Sequence, residues 1–415
     1  MNERQGPGGV RALFRNRNFV ALFLARETGW LSTAITDAAI GWQIFSIRHS
    51  ALDLGLIGLV LFIPQLLLAL PAGVIGDRFE RRTVCVLSGF ANAALTAVLF
   101  VLTLAHSTSL PLYFGVLALT GIAYTLGVPA QRSMLPTIVT PREFVRASAT
   151  ISSVSQFIAI AGPAVAGLLI VIGTPVAFAV AVVAQLVSTA SFFLLERRPP
   201  ADANEHAAPV LHAALEGVRY VFSRKIVLGA ISLDLFAVLF GGAVSMLPAY
   251  ATQVLHVGPT GFGILRAAPG IGAALVAMFI VRRPIERHAG RWLLWCVTGF
   301  GVFTIVFGAS RNFALSVVAL ALTGGFDMVS MVIRTTLVQL QTPDEMRGRV
   351  GAVENIFIGA SNELGAFESG SAAALLGLVP SVILGGIATC AVIALWSVLF
   401  PQLRTFDHLH DHASS

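Results

Sequence analysis

The sequence predicts an all-α integral membrane protein whose twelve transmembrane helices form two six-helix bundles, with both termini cytoplasmic. Three observations predict it. The 415 residues are 56% hydrophobic and 12% charged, with a mean hydropathy of +0.82, and an average soluble domain carries roughly twice that charge. A soluble chain of this length needs a polar surface that this composition does not supply. Apolar runs long enough to cross a hydrocarbon core of about 30 Å recur twelve times. Finally, 23 of the 27 lysines and arginines fall in segments on one side of the alternating layout, the excess expected of cytoplasmic loops.

Taken in order, the spans lie near 19–47, 52–75, 83–105, 110–131, 148–172 and 175–195, then near 226–252, 260–281, 292–310, 313–334, 350–376 and 380–400. Residues 1–17 read as an arginine-rich cytoplasmic tail. The apolar run that follows is too long for a signal-peptide core and lacks a small-residue cleavage site. The chain therefore divides into the tail, a bundle over 18–195, a cytoplasmic connection over 196–225, a second bundle over 226–400 and a tail over 401–415. Within the connection, Leu211, Leu215 and Val218 lie on one side of a possible amphipathic surface helix.

The two halves echo each other. Arg132, Leu135, Thr140, Pro141 and Glu143 recur as Arg334, Leu337, Thr342, Pro343 and Glu345, each at an offset of 202. Matches at one offset and at the same loop of each half indicate a parallel repeat. Transporters built this way bind substrate between the halves near the midplane.

Several function classes are excluded by what is missing. The net charge of +6 is explained by the cytoplasmic arginines, and no basic patch interleaves with aromatics as a nucleic-acid groove requires. Cys85, Cys296 and Cys390 are far apart within apolar runs, which suggests packing rather than a disulfide or zinc site. His408, His410 and His412 read as a solvated tail, so no metal site is expected. No HExxH, GxSxG or P-loop occurs; no enzyme, cofactor or nucleotide-driven pump is expected.

Charges inside the spans demand a reason, because one at mid-bilayer costs about 2.5–3.5 kcal/mol on insertion scales. Span one holds Arg26, Glu27 and Asp37; span seven holds Asp234, span eight Arg266 and span ten Asp327. Span eleven holds Glu354, Glu363 and Glu368, with Asn355 and Asn362. At 100° per residue, Glu354, Ser361, Asn362, Gly365, Glu368 and Ser369 share a face that reads as cavity-lining, while Glu363 points nearly opposite, toward another helix. Asp327 and Arg334, seven apart, share a face of span ten. Glu27 or Asp234 is expected to carry a coupling proton. Arg266 is expected to pair with Asp37 or Glu368 as an outer gate, and Arg26, beside Glu27, reads as structural.

Between spans two and three the chain reads Gly73-Val-Ile-Gly76-Asp77-Arg78-Phe-Glu-Arg81-Arg82, which resembles the loop signature G-x-x-x-D-R-x-x-R-R of the major facilitator superfamily. That resemblance implies that Asp77 engages the start of helix eleven, around Arg349 to Gly351, and latches the cytoplasmic side. Gly162-Pro163-Ala-Val-Ala166-Gly167 in span five resembles the exporter motif G-P-x-x-G-G; Ala166 replaces a glycine, and Ile158 stands where the longer motif has another. Phe23 to Arg26, Pro129 to Arg132, Leu135-Pro136 and Thr342 to Met346 resemble the enterobactin-exporter-like, transmembrane secretion effector branch, over residues 18–400. The resemblance implies a monomeric exporter of the bacterial inner membrane. It would exchange protons for a siderophore or drug-like amphiphile by alternating access, with Glu27, Asp37, Asp234 and Asp327 near the path. Multidrug efflux and lipid or metabolite transport are the alternatives within transport, and a membrane sensor the alternative outside it.

Overall fold

A computed structural model describes residues 10–197, 210–282 and 288–406, and all regular structure among them is helical. The long helices are α1 (Arg17–Arg48), α2 (Ala51–Arg78), α3 (Arg81–Leu104), α4 (Leu110–Arg132), α5 (Pro141–Ile172) and α6 (Thr174–Phe193). After the shorter α7 (Val210–Ser223) come α8 (Lys225–Phe240), α9 (Gly258–Arg282), α10 (Ala289–Ala309), α11 (Phe313–Leu340), α12 (Asp344–Leu376) and α13 (Leu378–Leu399). Ten segments are long and apolar enough to cross a membrane. The long helices outside that set are α1 and α12, of 32 and 33 residues. Their length suffices, but they carry the densest intrahelical charge, including Arg26, Glu27 and Asp37 on one and Glu354, Glu363 and Glu368 on the other.

The chain forms two compact units, one of Met1–Gln43 with Ile63–Ala207, the other of Ile44–Phe62 with Ala208–Ser415. In the first, Phe19, Leu22 and Ala25 of α1 join Cys85 of α3, Ala130 of α4, Ile151 of α5 and Phe192 of α6 in one buried cluster. Serines fasten α1 to α6: Ser188 Oγ donates to the Ala25 carbonyl at 2.6 Å and Ser32 Oγ to the Ala181 carbonyl at 2.8 Å. Such side-chain bonds satisfy hydroxyls that have no water to turn to in an apolar surrounding. Thr140 and Glu143 close a capping box at the start of α5, which satisfies backbone donors the first turn leaves open.

The second unit contains two buried clusters, one around Leu233, Leu293, Ile333 and Trp396, the other around Val221, Val227, Val338, Val350 and Val353. The N-terminal part of α2 belongs to it. A Cβ on Gly58 would lie 2.6 Å from the Glu363 carbonyl oxygen and 2.9 Å from the Ala366 Cβ, and one on Gly55 would lie 3.0 Å from the Gly370 Cα. Glycine at these points lets α2 and α12 touch backbone to backbone.

The seventh span, expected near 226–252, falls within one segment long and apolar enough to cross a membrane, Lys225–Val254, but its helix is interrupted: α8 stops at Phe240, a 3₁₀ turn follows at Ala243–Met246, and a π turn at Tyr250–Val254. Gly241 and Gly242 weaken the helix, and Pro248 lacks the N–H that would continue it. The connection contains the helix α7, in which Leu215 and Val218 are 58% and 37% exposed while Gly217 and Val221 are buried. The side chain of Leu211 lies outside the described residues, as do the histidines of the C-terminal tail.

Candidate transport site

In the second unit, Arg334 lies two turns before the end of α11 and is 4% exposed. It forms an ion pair with Asp234 of α8, and its Nε lies 3.4 Å from Glu354 Oε1 of α12. The positive-inside reading counted Arg334 with a cytoplasmic loop; packing places it inside the unit, where a guanidinium without carboxylates would be prohibitively costly. Three helices distant in sequence thus meet at one charge cluster. Asp327, two turns earlier on α11, is exposed and lines a crevice with Asp234, Phe300, Phe326 and Ser330.

The predicted polar face of α12 is divided. Ser361, Gly365 and Ser369 are buried, Glu354 and Glu368 half-buried, and Asn362 is exposed. A Cβ on Gly365 would meet the Val238 and Leu239 carbonyls of α8, so this part of the face packs against a helix. Glu368 receives the Ser369 hydroxyl at 3.4 Å, and Glu363 lies against Gly58 of α2. Arg266 of α9 donates to the Val244 carbonyl at 3.5 Å, across the broken stretch that follows α8.

In the first unit, Glu27 of α1 is 5% exposed, and both its carboxylate oxygens lie 3.0 Å from the Ser155 hydroxyl of α5. Trp30, one turn on, donates its indole N–H to the Ser155 carbonyl at 3.2 Å. Arg26 is half-buried, with Glu27, Arg132 and Tyr124 as its electrostatic neighbours. Asp37 is exposed. Gly162 and Pro163 of the exporter-like motif are buried with Gly167, and a Cβ on Gly162 would stand 2.8 Å from the Ala34 Cβ on α1.

The arginines of the loop signature cap helix ends. Arg81 Nη1 donates to the Ser133 carbonyl at 2.9 Å, and Arg82 donates to the carbonyls of Phe192 and Phe193 at 3.2 and 2.6 Å. Cations are favoured at such carbonyl-rich ends. Gly73 is half-buried in α2, while the side chains of Asp77 and Arg78 and the surroundings of Gly76 lie outside the described residues. At the start of α12, Arg349 forms an ion pair with Glu216 of α7. Sequence reasoning missed this contact, because Glu216 lies in the connection and had no helix to be placed against.

Long apolar helices with charge clusters packed inside each unit define a multi-pass membrane transporter. The chain belongs to the transmembrane secretion effector family of the major facilitator superfamily, whose family pattern it matches over residues 9–415. It is 27% identical to an enterobactin exporter, EntS, of Citrobacter koseri, over 98% of this chain and 97% of that protein. The counterpart in Shigella dysenteriae is 26% identical over the same shares. Among solved structures, a bacterial homologue of the human lysosomal transporter Spinster superposes with a TM-score of 0.73 at 14% identity, over 97% of this chain and all of the other. The nucleoside transporter NupG gives 0.69 at 13% identity, over 92% and 98%. These likenesses establish the fold.

Proposed function

We propose that this chain is a secondary active exporter of the bacterial inner membrane that exchanges protons for a siderophore or related amphiphile by alternating access. In this reading α1 to α6 and α8 to α13 are twelve spans, both termini are cytoplasmic, and the working unit is a monomer. The observation that carries it is the cluster of Arg334, Asp234 and Glu354. Two carboxylates share one guanidinium in a buried setting, and one proton makes the group neutral. Loading and releasing that proton changes which acid holds Arg334, and with it the preferred arrangement of α8, α11 and α12. Glu27, held by Ser155, is the corresponding candidate in the first unit. Arg266, Asp37, Glu363 and Glu368 are the candidates for outer gating, and Asn362 for cargo contact.

Export of a siderophore rests on the named relatives. Efflux of cationic drugs is the second reading, and the exposed Asp327 beside Phe300 and Phe326 favours it, since a carboxylate with aromatic walls suits a cation. Uptake of a catecholate siderophore into inverted vesicles, with and without an imposed pH gradient, tests the proposal. Gradient-dependent uptake that fails in Asp234→Asn, Glu354→Gln and Glu27→Gln is expected. Full proton dependence in all three variants would end the coupling assignment; movement of dyes or macrolides but no siderophore would replace the cargo.

A further inference from the structure

The internal repeat gives each unit an arginine at the same position, and the two arginines have opposite surroundings. Arg334 is buried and receives carboxylates from Asp234 and Glu354. Its repeat partner Arg132, at the last residue of α4, is exposed and makes no hydrogen bond or ion pair among the described residues. The repeat register explains the difference. Pro141 at the start of α5 corresponds to Pro343 at the start of α12, so the position of Glu354 corresponds to Ser152. Where one unit supplies a carboxylate, the other has an exposed serine.

A second guanidinium stands nearby. Arg26 of α1 has Arg132 and Tyr124 among its electrostatic neighbours, and it too donates no hydrogen bond among the described residues. Glu27 is the acid in its neighbourhood, and the Ser155 hydroxyl bridges that carboxylate's oxygens. Among the described residues, two guanidiniums against one carboxylate leave a surplus positive charge, with donors directed at no acceptor. Trp30, one turn from Arg26, and Tyr124 of α4 are 40% and 39% exposed and add aromatic surface in the same unit.

We propose that Arg132 and Arg26 form an anion-recognition subsite of the first unit, which takes the negatively charged group of an aromatic cargo. The cargo supplies to Arg132 the carboxylate-like partner that Glu354 supplies to Arg334. Guanidinium groups suit this role because their fixed donors match carboxylate or phosphate geometry. This deepens the exporter reading and rests on it.

The test is equilibrium binding of salicylate to the purified full chain in nanodiscs, without any gradient, against salicylamide as the neutral counterpart. Saturable salicylate binding is expected, with salicylamide weaker by about tenfold, the loss typical of one charged hydrogen bond. Arg132→Gln should weaken salicylate by about tenfold. Ser152→Glu, which installs the carboxylate found in the other unit, should weaken it to a similar degree, whereas Ser152→Gln should not. Both positions are exposed, so these variants should remain folded, as monodisperse elution will show. Absence of saturable binding in the wild type, equal binding of salicylamide, or wild-type affinity in both Arg132→Gln and Ser152→Glu overturns the subsite. Gradient-driven export that persists alongside such a result leaves the exporter reading standing. Arg132-dependent binding without gradient-driven export does the reverse.

Discussion

Arg334 of α11 and Asp234 of α8 form an ion pair in the interior of the second unit, 100 residues apart in sequence, with Glu354 of α12 completing the group. A buried guanidinium satisfied this way is costly to assemble and more costly to break, because removing one partner strands the others without water.

Arg334→Gln is therefore expected to destabilise the protein by about 3–5 kcal/mol, seen as a large fall in the thermal unfolding midpoint in detergent. Arg334→Lys should recover little, since a point charge cannot serve two carboxylates as a planar fork does. Neutralising all three groups together, with Asp234→Asn, Glu354→Gln and Arg334→Gln, should restore much of the loss. A wild-type midpoint for Arg334→Gln alone would show that the cluster carries no structural weight.

The contact of α2 with α12 predicts a contrast among glycines. Gly58→Leu should disrupt the second unit, because the new side chain meets the Glu363 backbone and not a movable group. Gly359→Ala, on α12 with open space around its position, should instead stabilise by about 0.5–1 kcal/mol through helix propensity. Unfolding midpoints of the two variants, measured side by side, decide the matter.

The docking of α7 predicts that shape matters more than charge there. The ion pair of Glu216 with Arg349 is more than a third exposed on each side, so Glu216→Gln should cost less than about 1 kcal/mol. Gly217→Val places a branched side chain against the Arg349 backbone, and Tyr220→Phe deletes the 2.7 Å bond to the Gln341 carbonyl. Both should speed proteolytic cleavage of α7 relative to wild type, while Glu216→Gln should not.

Every non-glycine residue with positive φ among the described residues is a histidine: His49, His106, His256 and His288, at φ of 51° to 59°. His49 and His106 follow the ends of α1 and α3, the place where glycine is usual. His106→Gly should leave stability unchanged or raise it slightly, and His106→Val should lower it by roughly 1–2 kcal/mol, the cost of forcing a branched residue into the left-handed region. Equal midpoints for the two would contradict the strain argument.

Much of the fold is legible in the sequence because its signals are local. Apolar run length marks α2 to α6, α8 to α11 and α13, and Thr140 with Glu143 announces the start of α5 through a cap made within four residues. The loop signature and the repeat are equally local patterns, and they identify the family. Interruptions are harder: Gly241, Gly242 and Pro248 are visible, yet small residues and prolines also occur within the intact helices α2, α5 and α9. The side of α7 that packs on α12 carries Gly217, whose small size allows close approach to the Arg349 backbone, and no apolar pattern marks that side in the sequence.

The pair of repeat arginines marks the boundary between what sequence and structure decide. Sequence alone determines that Arg132 and Arg334 are equivalent, since each is followed at the same spacing by leucine, threonine-proline and glutamate. It also determines the surrounding helices, because hydrophobicity and helical period act over a few residues. Only the tertiary structure decides that Arg334 is enclosed by Asp234 and Glu354 while Arg132 stays exposed. Electrostatic partnership depends on which distant helices pack together, and no local pattern carries that information.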